Sequence, residues 1–168
     1  MAYKFNKSNW AEDEIIRLSD FYGDGEYVKF VCLDSDGETV AQHKNYGKYL
    51  VAYPDIENKS ENKGRLLLLI EVKSRREFYK HGGFLALKQR SFNSYDIVQR
   101  KEKVPVKIVY FIGDKDNYEI FWCRLSEIKK METHREMFQD ANDKNEEAYI
   151  FFHSEQLSQE MFSLFDIV

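Results

Sequence analysis

Residues 66–73 read LLLLIEVK. Five consecutive aliphatic residues predict a strand buried on both faces, the kind that sits inside a sheet covered by helices. The run passes directly into Glu71 and Lys73, groups that interiors exclude unless something rewards them. Side chains alternate along a strand, so Glu71 and Lys73 share a face with Leu69 while Ile70 and Val72 take the other. A carboxylate and an ammonium at the mouth of a buried strand mark a candidate site.

Upstream, residues 8–22 form a helix capped by Ser8, with acids crowding the first turn, apolar Trp10, Ile15 and Leu18, and Gly23 as the stop. The segment EYVKFVCLDSDGETVAQH (26–43) predicts two strands around an Asp36-Gly37 turn, and DSDGE lacks the length and terminal Glu of a calcium loop. A third strand, KYLVAYPDI (48–56), neighbours LLLLIEVK through the exposed connection ENKSENKGR (57–65), which has no apolar residue.

Downstream, no Gly or Pro interrupts 85–103, where Leu85, Phe92, Tyr95 and Val98 recur at helical spacing and Tyr95 is assigned to the core. Pro105 ends that helix, and VKIVYFIG (106–113) returns parallel to LLLLIEVK. A strand NYEIFWCRL (117–125), a helix over 125–138, a loop DANDKN (140–145), a short strand YIFFH (149–153) and a Ser154-capped helix over 154–165 complete the chain. The fold class is α/β.

With 168 residues, of which 43% are hydrophobic, the chain can bury one core and is expected to be a single domain. No apolar run approaches the roughly 20 residues of a membrane helix. The first residues, MAYKFNKSNWAEDE, show no secretory pattern, so the expected location is cytoplasmic with no membrane partner. Cys32 and Cys123, each in an apolar strand-like run, suit buried thiols better than a disulfide or zinc site.

The formal net charge of −4 conceals a strong asymmetry. From Lys73 to Lys107 ten basic residues face three acidic ones, a balance of +7, whereas residues 131–168 carry nine acids against two bases. The basic segment suits a nucleic-acid backbone, with the acidic tail turned away.

If the strand ending in Asp55 lies beside LLLLIEVK, the carboxylates of Asp55 and Glu71 converge, and the backbone carbonyl of Val72 adds a third oxygen. An all-oxygen set with room for water favours Mg2+ or Mn2+ over zinc. Such an ion beside Lys73 suits phosphodiester hydrolysis, with Lys73 orienting the attacking water or stabilising the transition state.

Pro54-Asp55, 15 intervening residues and Glu71-Val72-Lys73 resemble the motif of the PD-(D/E)XK, or restriction-endonuclease-like, nuclease superfamily. The resemblance covers about Ser8 to Gly113 and implies a core of helix, three-stranded antiparallel meander, helix and strand. It places the core at about 8–124, with a C-terminal strand and helix extension at about 125–168. The implied activity is a Mg2+-dependent endonuclease, with DNA the favoured substrate and Asp55, Glu71 and Lys73 catalytic. The segment AEDEII (11–16) looks like the first helix of archaeal Holliday junction resolvases, which adds Glu12, in preference to Glu14, to the metal set. The gap from Glu12 to Asp55 is longer than in those resolvases.

Gln89 falls where many members place a polar residue facing the metal. Lys88 and Arg90 flank it, and Arg75, Arg76 and Lys80, leading into Gly82-Gly83, are the remaining nucleic-acid contacts. His43 and His81 are surface residues that substrate or metal could reach. Many members are homodimers, and YIFFH or the last helix offers a surface for a second copy. Two alternatives stand beside DNA cleavage: an RNA-cleaving or nucleotide-activated nuclease of the same fold, and a non-catalytic nucleic-acid-binding or assembly protein.

Overall fold

The computed structural model describes residues 9–80, 82–139 and 146–167. The architecture is mixed α/β. Helix α1 (Asn9–Tyr22) is followed by β1 (Glu26–Lys29), β6 (Ile56–Lys59) and β7 (Leu66–Arg75) in an antiparallel meander. Helix α2 (Gln89–Glu102) then crosses over to β9 (Val106–Asp114), which runs parallel to β7, and β10 (Asn117–Arg124) closes the five-stranded sheet in the order β1-β6-β7-β9-β10. Ser8 and His81, nominated as helix cap and surface contact, lie outside the described residues.

β7 is buried on both faces because two cores meet on it. Leu69 packs with Val106, Ile108 and Tyr110 of β9 against Phe92, Tyr95 and Val98 of α2. Leu68, Ile70 and Val72 instead pack with Ala11 and Ile15 of α1 and with Leu164 and Phe165 near the C-terminus. α2 stops at Lys103, which takes a left-handed conformation (φ 57°) two residues before Pro105 and donates its N–H to the Gln99 carbonyl. Gly113 (φ +129°) is required at the β9–β10 turn, because any Cβ there would clash with the Asn117 carbonyl.

Two hairpins are inserted between β1 and β6: a short one, β2 (Cys32–Leu33) with β3 (Thr39–Val40), and a longer one, β4 (His43–Tyr46) with β5 (Tyr49–Ala52). The single strand expected over 48–56 is therefore divided, and β5 pairs within its own hairpin. The neighbour of β7 is β6, a strand lying largely in the segment read as an exposed loop. Ile56 and Asn58 are fully buried there, and the Asn58 amide donates to the Asp24 and Glu26 carbonyls at 3.0 and 3.3 Å. Both bonds are made by the amide NH2 and offset part of the cost of burying the side chain, whose Oδ1 is buried without a hydrogen-bond partner.

Other boundaries also shift. The first residues assigned to the second helix form β8 (Phe84–Lys88), which pairs with β12 (Glu146–His153). The helix expected over 125–138 is only α3 (Leu125–Ile128), followed by strand β11 (His134–Gln139). β12 lies between β11 and β8 in a three-stranded sheet, so YIFFH is an interior strand and offers no edge to a second copy. The last helix reduces to a 3-10 turn at Ser154–Gln156 and α4 (Met161–Leu164). Cys123 is buried as expected, but Cys32 is only half-buried, and both thiols are free. No helix among the described residues is long and apolar enough to cross a membrane.

Candidate functional site

The β6–β7 register pairs Ile56 with Ile70, which makes Asp55 and Glu71 the next residues along their respective strands. Asp55 thus sits at the start of β6 rather than at the end of the preceding strand, and the two carboxylates are still brought side by side. Asp55 is 0% exposed, and its Oδ2 accepts a 2.8 Å hydrogen bond from the Val72 N–H. Glu71 is 3% exposed, so it lies within the buried part of β7 and not at its mouth. Lys73, one pleat further out, is half-buried with Nζ 3.5 Å from Glu71 Oε2.

Tyr95 completes the arrangement from α2. Its hydroxyl donates to Glu71 Oε2 at 2.5 Å, and burial, together with the negative charge of Glu71, pushes its ionisation well above the ordinary tyrosine value. The ring belongs to the core, as expected. The hydroxyl belongs to the site, which sequence reasoning missed, although buried Tyr hydroxyls as a class need a partner.

Glu71, Lys73 and Tyr95 open onto a cavity of about 570 Å3, which Glu12 also lines. Glu12 is 6% exposed, and Glu14, which does not line the cavity, is bound to Arg17. His43 also lines the cavity, and its Nδ1 lies 2.8 Å from the Ala41 carbonyl. Gln89 does not join the site; its amide donates along its own helix to Asn93 at 3.0 Å. Among the described residues no three His, Cys, Asp or Glu side chains are gathered as a metal cluster. The donors brought side by side are Asp55 and Glu71.

The basic residues are less uniform than their sequence proximity implies. Arg75 and Arg76 are exposed at the end of β7, with Arg75 stacked 3.5 Å from the centre of the Tyr79 ring. Lys80 pairs with Glu136 of β11, while Lys88 and Arg90 share Glu147 of β12 at 3.2 and 2.8 Å. The acidic C-terminal segment is therefore not turned away: two of its carboxylates lie directly on the basic surface. Lys107 is absent from that surface altogether. It is 0% exposed, and its ammonium donates to the carbonyls of Ser163, Leu164 and Asp166 at 2.7, 3.0 and 2.5 Å.

No family model and no curated protein sequence matches the chain. Among solved structures, the fold is similar to that of Archaeoglobus fulgidus Hjc, a Holliday junction resolvase from an archaeal hyperthermophile. The two share 11% sequence identity and a TM-score of 0.50, over 93% of this chain and 98% of the other.

Proposed function

We propose that the chain is a single-domain, divalent-metal-dependent endonuclease with a restriction-endonuclease-like core, hydrolysing phosphodiester bonds in DNA. The observation that carries this reading is the juxtaposition of two buried carboxylates, Asp55 and Glu71, on adjacent antiparallel strands, with Lys73 beside them at a cavity bordered by cations. The likeness in fold to a junction resolvase is consistent with it.

The donor chemistry fits a hard cation. Mg2+ or Mn2+ is commonly held by one or two carboxylates, with water and substrate oxygens filling the remaining positions. Asp55 and Glu71 would hold it, with the Val72 carbonyl and Glu12 as further oxygen donors. When bound, the ion would neutralise charge on the phosphoryl group and lower the pKa of a bound water. Tyr95 and the Val72 N–H each occupy one oxygen of the carboxylate pair and so fix its orientation. Lys73, its Nζ 3.5 Å from Glu71 Oε2, would orient the attacking water or stabilise charge developing on the phosphate. The test is cleavage of duplex, single-stranded, four-way-junction and RNA substrates with Mg2+ or Mn2+. Cleavage of DNA that stops on chelation is expected; no cleavage of any substrate overturns the catalytic reading, and cleavage of RNA alone overturns the choice of DNA.

The ion pairs to β12 give a second test. A DNA phosphate approaching Lys88 and Arg90 must displace Glu147, so Glu147→Gln is expected to tighten DNA binding. It should also steepen the log K against log[salt] slope by about 1, as phosphate contacts made by newly released cations do. Unchanged affinity and slope would remove Lys88 and Arg90 from the binding surface.

A further inference from the structure

The two inserted hairpins wall the pocket onto which Glu71 opens. Phe30 and Asp55, at the two ends of the insertion, are joined by a 2.8 Å backbone hydrogen bond. Gln42 bonds back to the Phe30 carbonyl at 2.6 Å. The β4–β5 hairpin is tied to the far end of α2, where Lys44 and Tyr46 each donate to Glu102 at 2.7 Å. These bonds hold Glu102 below its ordinary value even though burial acts to raise it. Val51 on β5 is buried in the α2 core. The wall is thus anchored along its length.

The pocket has two chemically distinct sides. The insertion contributes aliphatic surface at Val40 and Leu50 beside polar Gln42 and His43, while the end of β8 and the start of α2 contribute Lys88, Arg90, Ser91 and Ser94, the two cations being shared with Glu147. A side with aliphatic surface and a side with cations and hydroxyls suit a nucleotide with its base on the first and its phosphate on the second, the phosphate displacing Glu147. A volume of about 570 Å3 falls in the range of pockets that enclose a small ligand. Glu71 is only 3% exposed, so a phosphate reaches it by entering the walled pocket, which a single strand does more readily than a phosphate held on the convex surface of a duplex.

We infer that the site takes an unpaired DNA strand, fed between the β4–β5 hairpin and the start of α2, in preference to continuous duplex. This rests on the nuclease reading for its chemistry, but its binding geometry can be tested separately. Fluorescence anisotropy with Lys73→Ala in Mg2+ would compare a labelled single-stranded oligonucleotide with a blunt duplex of the same length. The expected result is tighter binding of the single strand by about tenfold or more, since contacts to unstacked bases are unavailable in a duplex. Leu50, at the exposed lip, supplies the second variant: Leu50→Asp is expected to weaken strand binding severalfold without changing the unfolding temperature.

Equal or tighter binding of the duplex, or strand binding insensitive to Leu50→Asp, overturns the inference. Strand preference together with an inactive wild type would support this geometry and sink the hydrolytic reading. Efficient cleavage of blunt duplex would do the reverse.

Discussion

Asp55→Asn is expected to abolish Mg2+-dependent cleavage while leaving the fold intact. Asparagine retains an oxygen able to accept the Val72 N–H, so the 2.8 Å bond that seats residue 55 is kept, while the negative charge is lost and the other carboxylate oxygen is replaced by an amide NH2. Lys73→Ala is expected to reduce the rate by about a thousandfold, the scale seen when one preorganised charge-stabilising group is removed from a water-poor site. Because Lys73 is only half-buried, its truncation should shift thermal stability little. Single-turnover cleavage by both variants, with calorimetric Mg2+ titration of Asp55→Asn, checks the pair. Wild-type rates from Asp55→Asn would remove the carboxylate pair from the chemistry, and wild-type rates from Lys73→Ala would reduce Lys73 to a structural partner of Glu71.

The largest expected effect on stability lies on the other face of the sheet. Lys107→Met removes the donor shared by the Ser163, Leu164 and Asp166 carbonyls, the same ammonium that lies 5.0 Å from the Trp122 ring. Leaving these buried and part-buried acceptors without a partner costs roughly 3 kcal/mol in total. In a chain of this length that lowers Tm by roughly 10 °C. Burial, with the neighbouring Arg124 charge adding to it, pulls the Lys107 pKa from 10.5 down to about 8. Between those two values the unfolded chain binds the extra proton, so this residue makes stability rise with pH across the window. Urea titrations from pH 7 to 10.5 should show that rise in wild type and its absence in Lys107→Met. An identical pH profile in both would show that Lys107 titrates normally.

How much was legible follows the physical nature of each signal. LLLLIEVK and VKIVYFIG are read correctly because strands buried on both faces must be apolar throughout, and the intervening helix forces them parallel. The candidate pair Asp55 and Glu71 is found because its spacing survives the change of strand. β6 is missed because a buried Asn58 looks like loop chemistry until its two carbonyl partners are known. FLALK (84–88) is mistaken for a first helical turn because a short apolar run fits both periods, and only its pairing with β12 decides between them. Lys107 is counted as a surface charge because the carbonyls that accommodate it lie more than 50 positions away. The ion pairs of Glu136 and Glu147 are invisible for the same reason, since β11 is a charged strand that periodicity reads as helix.

The bond from the Val72 N–H to Asp55 is made by main chain, and this affects how the protein tolerates change. Every residue type except proline brings the same donor to position 72, so side chains there can drift under packing constraints alone without loosening Asp55. The geometry of one carboxylate is inherited from the sheet itself. A library randomised at position 72 should therefore lose function mainly through misfolding, with Val72→Pro the one substitution that must release the carboxylate directly.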